Sequence, residues 1–582
     1  MFLKRKSRKQ RITDFYKSSE DASPLYTAIC NDDRHKVQDL ITSSPTLLQD
    51  DDGYGTPLHI AIFCDSLEAV ALLLDAGADP LAPSSGTDDR ANALTIAGRE
   101  GKQPFLYQLL KRVKPTQNSH IYKDLQYCFL ESAAWGQVAS VANLMDWWDG
   151  WTLETKERAL NSAAQRWKIY VAEFLISKVK FEQKALDSAL SYAIDYKVYM
   201  NSTNEYRIDY EGVDYFEQQQ LIKLLLHAGA NPNAKHFGIP LVIYAAQNIN
   251  LIGALNVLLE NGADPNTTDN KGRTALHHLG GAQSLRQGAF ARRVHEAGIR
   301  LLLGHKASVL QKDESGAMPI HEAAYGTNLR LLLLQLFTLP NEADRYGAIR
   351  STNKYGTTLL HYAAAGAKLD VIEYLVSQGL DINQANANGW TPLMCALVPT
   401  SSGFSEDGKS KSISEAIQAG QILLDHGADP LVTTAEGWTP LHALSLFITR
   451  DVSRKVSAAI AELISRGVDP NACAIFPTAT GRSHPAPPGS YWGYKLNQMI
   501  QEPDKYGIAL VRQGYTPLHF AAAKGSVGMA KALLANGADP SCRDATGNSA
   551  AKIAKYTWYL EGLAETRDVM LKLLKDAVDS MD

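Results

Sequence analysis

Residues Gly514–Pro540 read GYTPLHFAAAKGSVGMAKALLANGADP, and a near copy, GYGTPLHIAIFCDSLEAVALLLDAGADP, occupies Gly53–Pro80. Thr516 offers a helix N-cap, and Pro517 stands at the first helical position, where its missing N–H costs nothing and its fixed φ is already helical. The small side chains of Ala521 and Ala522 let neighbouring helices approach closely, and Gly525 can supply the positive φ that ends the first helix. Val527, Ala530, Leu533 and Leu534 then recur at helical spacing, and Gly537 closes this second, amphipathic helix ahead of Ala538-Asp539-Pro540. The expected unit is two antiparallel helices and an outward loop.

This unit resembles the ankyrin repeat, a helix pair plus β-turn with a T-P-L-H-x-A signature and a period of about 33 residues that cannot bury its apolar face alone. The tetrads at Thr56–His59, Thr439–His442 and Thr516–His519 carry the resemblance intact, and those at Thr274–His277, Met318–His321, Thr358–His361 and Thr391–Met394 carry it with changes. The resemblance implies an all-α solenoid of roughly a dozen or more stacked helix pairs, bound to its partners through hairpin tips and first-helix surfaces on the concave side. On that basis the candidate contact residues are Asn270, Lys271, Asn388, Trp390, Glu436, Trp438, Arg512, Tyr515 and Thr546.

At 582 residues the chain is long for one globular core, but a solenoid has no such ceiling because each repeat touches only its neighbours. A formal charge of −4 gives no global pull toward nucleic acid or anionic membrane. The six cysteines, Cys30, Cys64, Cys128, Cys395, Cys473 and Cys542, lie far apart without a CxxC pair, which argues against a zinc knuckle or a disulfide framework and for a reducing compartment. No apolar run of membrane length and no leader pattern is found. The expectation is a soluble protein of nucleus or cytoplasm.

Residues 1–22 differ in composition from the rest. Lys4, Arg5, Lys6, Arg8 and Lys9 form a nuclear-localisation-like block expected to be a disordered, solvated tail. Within it Ile12, Phe15 and Tyr16 stand at i, i+3 and i+4, so one helical turn makes them a hydrophobic plug. Lys9–Tyr16 resembles the PIP box that binds the sliding clamp PCNA, usually Q-x-x-[ILM]-x-x-[FY]-[FY]. Ile12, Phe15 and Tyr16 match its plug, Thr13-Asp14 resembles the Thr-Asp of strong clamp peptides, and Lys9 replaces the expected Gln. The same residues also read as a basic localisation tail with a chance aromatic pair.

The array is expected to begin at Ser23-Pro24, with N-terminal repeats over 23–118, degenerate helical repeats over 119–220 and central repeats over 221–471. Trp147, Trp148, Trp151 and Trp167 concentrate in the degenerate part and read as core fillers or wedges between repeats. Successive His277, His321 and His361 stand 44 and 40 residues apart, which places insertions near 281–297 and 341–353, expected as loops. Residues 472–513, with Pro477, Pro485, Pro487, Pro488 and Tyr491-Trp492-Gly493-Tyr494, read as a projecting loop whose aromatics fold back onto the array. The C-terminal repeats and their charged cap fill 514–582.

Gly403–Ser410 satisfies the phosphate-loop pattern G-x-x-x-x-G-K-S, but Thr391–Leu397 before it reads as helix rather than strand and Glu406-Asp407 repels phosphate. The tetrad histidines recur once per repeat instead of converging, and the resemblance implies that each bonds its own Thr and the next repeat. No HExxH, GxSxG or Cys/His constellation is present. The sequence therefore names no catalytic, cofactor or metal residue. It reads as a protein-binding scaffold, with or without clamp docking, against a cytoplasmic ubiquitin-ligase adaptor or host-directed effector and, least favoured, an NTP-binding enzyme losing nucleotide on Lys409→Ala.

Overall fold

The tetrads open helices as their chemistry requires. In the computed structural model Thr56, Thr358, Thr439 and Thr516 sit at N-caps in extended backbone, each forming a capping box with the His three residues on. The structure describes Tyr16 and residues 23–51, 55–84, 91–114, 120–195, 215–247, 251–281, 289–399, 411–451, 453–475, 514–556 and 563–581. These fall into two compact units, residues 1–241 with 253–263 and residues 242–252 with 264–582.

In the first unit the pairs Pro24–Cys30/Arg34–Ser43, Pro57–Phe63/Leu67–Asp75 and Ala93–Arg99/Gln103–Leu110 follow one another. First helices pack side by side, and so do second helices. This sandwiching explains why the first helices read as apolar all round: each of the seven residues of Pro57–Phe63 is buried. The second helices bury one stripe, such as Val70, Leu73 and Leu74 on Leu67–Asp75. Burying each such Leu or Val fully contributes about 1.5–3 kcal/mol, which is why a pair needs its neighbours. Between the two helices the chain must pass through a left-handed residue. Asp32, Asp65 and Trp167 take that conformation at φ 55°, 60° and 55° where other repeats use Gly101 and Gly136.

The degenerate repeats are helix pairs with longer first helices: His120–Ala134, Leu153–Gln165 and Gln183–Ile194 have 15, 13 and 12 residues. Trp151 is the wedge expected of it, buried and stacked on Phe129 at 4.8 Å with its Nε1 donating to the Leu144 carbonyl at 2.8 Å. Trp167 donates likewise to the Ala193 carbonyl at 2.9 Å.

The tail expectation needs one correction. Tyr16 is 2% exposed, its ring stacked on that of Tyr26 at 5.4 Å. Tyr26 lies on the helix Pro24–Cys30, and the Tyr16 ring covers it there. Phe15, Ile12 and the basic cluster lie outside the described residues.

In the second unit the pairs are Ala275–Gly281/Ala289–Gly304, Pro319–Gly326/Leu329–Leu336, Leu359–Ala365/Leu369–Ser377, Pro392–Leu397/Ile413–Asp425, Pro440–Leu444/Arg454–Ser465, Pro517–Lys524/Val527–Ala535 and Ala550–Tyr556/Ala564–Asp579. The insertions expected as loops contain helix instead. Residues 289–297 of the first belong to the helix Ala289–Gly304, residues 282–288 lying outside the described ones, and the second carries an extra helix, Glu342–Ile349, N-capped by the Asn341 side chain on the Asp344 N–H. Ala348 and Ile349 are buried, and Arg350 donates to the carbonyls of Gln378 and Gly379 at 3.0 and 3.3 Å. Local helix propensity and a cap outweighed the general rule that insertions become loops.

The described strands are minimal: Lys235–His236 pairs antiparallel with Ile239–Pro240, and single bridges join Pro83 to Asn92, Thr352 to Thr358, Ala474 to Tyr515 and Arg543 to Ser549. These bridges are the bases of the hairpins between repeats. The Ala474–Tyr515 bridge, with N–H···O distances of 2.9 and 3.0 Å, pairs the residues that flank the stretch 476–513. Residues 476–513, with Arg512 and the Pro and aromatic residues of that stretch, lie outside the described ones.

Candidate partner-binding face

Five described hairpin tips of the second unit are each wound around one side chain. Asp269 Oδ1 accepts from the backbone N–H groups of Lys271 and Arg273 at 2.8 and 3.0 Å. Asp313 does the same for Ser315 and Ala317, Asn353 for Tyr355 and Thr357, Asn386 for Asn388 and Trp390, and Asp544 for Thr546 and Asn548. In every case the residue three on from the Asp or Asn is a glycine at positive φ: Gly272, Gly316, Gly356, Gly389 and Gly547. The pattern D/N-x-x-G was legible in the sequence as a turn signal that a search for the tetrads alone passes over.

Adjacent tips are zipped together through backbone: Glu314 N–H to Lys271 carbonyl at 2.9 Å, Lys354 N–H to Ser315 carbonyl at 2.8 Å, Ala387 N–H to Tyr355 carbonyl at 2.8 Å and Ile475 N–H to Glu436 carbonyl at 2.7 Å. With these backbone groups paired, the tips offer their side chains. Asn270, Lys271 and Thr546 are exposed, and Asn388, Trp390 and Glu436 half-buried. Ser315, Lys354 and Tyr355 belong to the same row and were missed by the sequence reading; Tyr355 is 38% exposed. Trp438 and Tyr515, expected as contacts, are core residues instead. They are 7% and 3% exposed; Trp438 packs on Phe520 at 5.0 Å and donates its indole N–H to the Ile475 carbonyl, and Tyr515 stacks on His519 at 5.3 Å. An aromatic ring at the base of a hairpin lies against the next repeat, whereas one at its tip does not.

Beside the tips, the residues after His277 and His321, His278 and Glu322, are half-buried on the first-helix face. His278 Nε2 lies 3.0 Å from Asp269 Oδ2, which also receives the Arg273 guanidinium at 2.9 Å. Burial by itself raises the Asp269 carboxyl, but the N–H groups of Arg273 and Lys271 and the His278 and Arg273 side chains hold it down at about 2. Glu322 is pushed up to about 7, first by desolvation and then by Asp313, with Arg273 pulling the other way. Tyr362 follows, its hydroxyl 3.3 Å from Asn353 Nδ2.

The tetrad histidines are structural. His59, His277, His361, His442 and His519 accept at Nδ1 from the backbone N–H of their own N-cap Thr at 3.0–3.2 Å. Each therefore carries its proton on Nε2, which donates to a carbonyl of the next repeat: Ala91, Ala317, Trp390, Tyr515 and Asn548, at 2.9–3.2 Å. Among the described residues no group of three His, Cys, Asp or Glu side chains is placed to hold a metal. The phosphate-loop pattern Gly403–Ser410 lies outside the described residues; what precedes it is a helix, Pro392–Leu397, whose Cys395 and Ala396 carbonyls accept from the buried ammonium of Lys411 at 3.0 and 2.6 Å.

Family models agree with the geometry. Residues 55–85 match the ankyrin repeat, 320–401 a model of three ankyrin repeats and 507–554 a model of many. These three segments are ankyrin repeats. The chain is also similar to the putative ankyrin repeat protein YahD of Escherichia coli, 29% identical over 33% of this chain and 81% of that one, and to the putative ankyrin repeat protein FPV230 of fowlpox virus, 25% identical over 31% and 87%. Palmitoyltransferase AKR1 of Lachancea kluyveri is 29% identical over 34% of this chain, but the chain spans only 24% of that protein's length. Ankyrin repeats of this kind support a role as a protein-interaction scaffold. Among the described residues no helix is long and apolar enough to cross a membrane.

Proposed function

We propose that this chain is a non-catalytic scaffold that holds a protein client against the hairpin tips and first-helix face of its second unit. The zipped tips support this reading: backbone bonds run from the tip of Lys271 through those of Ser315 and Tyr355 to that of Asn388, and join the Glu436 tip to Ile475, so Asn270, Lys271, Asn388, Trp390 and Glu436 are presented on preorganised tips, with Thr546 exposed on a later one. Replacing Lys271, Asn388 and Glu436 together by Ala removes no core side chain. Client capture is expected to fall about tenfold or more with the melting temperature unchanged. Capture of the same proteins at the same affinity would reject this face.

The tail carries a finer reading, in which Ile12, Phe15 and Tyr16 dock on the PCNA clamp with Thr13-Asp14 between them and the basic Lys4–Lys9 block steering the approach. Because Tyr16 is packed on Tyr26, docking of the whole chain has to release that ring. A peptide of residues 1–22 is therefore expected to bind the clamp more tightly than the full chain does, and Ile12→Ala with Phe15→Ala to abolish both. A peptide with no affinity at low or high salt leaves the tail as a nuclear-localisation sequence. Full client capture by a chain starting at Ser23 then favours the cytoplasmic adaptor.

A further inference from the structure

The cysteines that look scattered in the sequence do not all stay apart. Cys30 ends the first helix of the first repeat and Cys64 caps that of the second, and their Sγ atoms lie 2.8 Å from each other. The spacing of 34 residues is that of the whole seam: Ser66 Oγ donates to Asp32 Oδ1 at 2.5 Å and Arg34 faces Glu68 at 3.9 Å with the same offset. Two thiols one repeat apart face each other because stacking brings each position beside its successor, which a search for CxxC cannot register.

We propose that Cys30 and Cys64 form a reversible disulfide that fastens the first repeat to the second. Both thiols are half-buried, so a small oxidant reaches them. With hydrogen peroxide as oxidant, the sulfur of one cysteine attacks a peroxide oxygen. The O–O bond breaks, giving a sulfenic acid and a hydroxide that takes up the thiol proton as water. The second thiol attacks that sulfur, the S–S bond forms as the S–O bond breaks, and a second water leaves. Two thiols are oxidised and one peroxide is reduced.

Other cysteines are poorer candidates. Cys128 and Cys395 are fully buried, which pushes their thiols up to about 12, and burial followed by Asp539 raises Cys542 to about 11. A staple between two repeats matters because each repeat of a stack is held chiefly by its neighbours and can open locally.

The test is peroxide treatment of the folded full chain, then tryptic mapping without reductant. Peptides 18–34 and 37–90 are expected joined, about 2 Da lighter than their sum, and separated again by dithiothreitol. The melting temperature should rise on oxidation and fall back on reduction, and both changes should vanish in Cys30→Ser and, independently, in Cys64→Ser. The inference is overturned if the two peptides stay separate in the oxidised, folded chain, or if Cys30 or Cys64 is found joined instead to Cys473 or to a second chain.

Discussion

Taking the pH from 7 to 5 is expected to cost the second unit a few kcal/mol of stability. Desolvation lowers His321, His361 and His442 to about 4, against hydrogen bonds that pull upward, and it lowers His277 and His519 as well. A ring with a folded pKa below its unfolded value of about 6.5 takes up protons more readily when unfolded, so its contribution is complete above pH 6.5. It is lost as the pH falls from there toward 4. Halfway down the window each of the three rings accounts for at most about 2 kcal/mol. Glu322 acts in the opposite sense: its raised carboxyl costs stability above pH 7, and protonation relieves that cost, but it is one half-buried group against several rings. Asp269 stays ionised throughout, since it is held at about 2. Urea midpoints at pH 7 and 5 measure the effect. Equal midpoints, or a loss confined to pH below 4, would trace acid sensitivity to carboxylates instead.

Gly366→Ala is expected to cost about 3 kcal/mol or more, because the new methyl has nowhere to go. Gly366 caps the helix Leu359–Ala365 in ordinary right-handed backbone, so conformational freedom is not its purpose. A Cβ there would overlap the carbonyl oxygen of Tyr325 and stand 2.9 Å from its carbon, on the first helix of the preceding repeat. Both partners are backbone, so relief requires the two repeats to separate. The matched control is Gly347→Ala in the inserted helix Glu342–Ile349, where a Cβ meets nothing within 4 Å. There the substitution should stabilise by about 0.5–1 kcal/mol through helix propensity alone. Chemical denaturation of both variants checks the pair, and a Gly366→Ala chain as stable as the parent would show that neighbouring first helices do not touch at this point.

The two substitutions also mark how far the chain could be read in advance. Helix starts at Pro57, Pro440 and Pro517 follow from Thr, Pro and His side chains acting on their own backbone, and the degenerate pairs follow from apolar spacing around Ala133-Ala134 and Ala163-Ala164. The face was legible in part. Lys271 and Asn388 lie at tips whose Asp or Asn and Gly are visible in the sequence, and Glu436 at one built on Thr434 and Gly437, whereas Trp438 and Tyr515 look the same on paper and turn inward, because burial depends on what the next repeat presents.

The sequence by itself determined the repeating unit, its all-helical class and the local role of each tetrad, since these depend on contacts within about one period of chain. Tertiary structure alone decided which side chains meet across repeats: Cys30 with Cys64, Tyr16 with Tyr26, Gly366 with the Tyr325 carbonyl, and one hairpin tip with the next. Those meetings are set by the offset and rotation between stacked helix pairs, and a linear pattern that repeats the unit carries no record of that geometry.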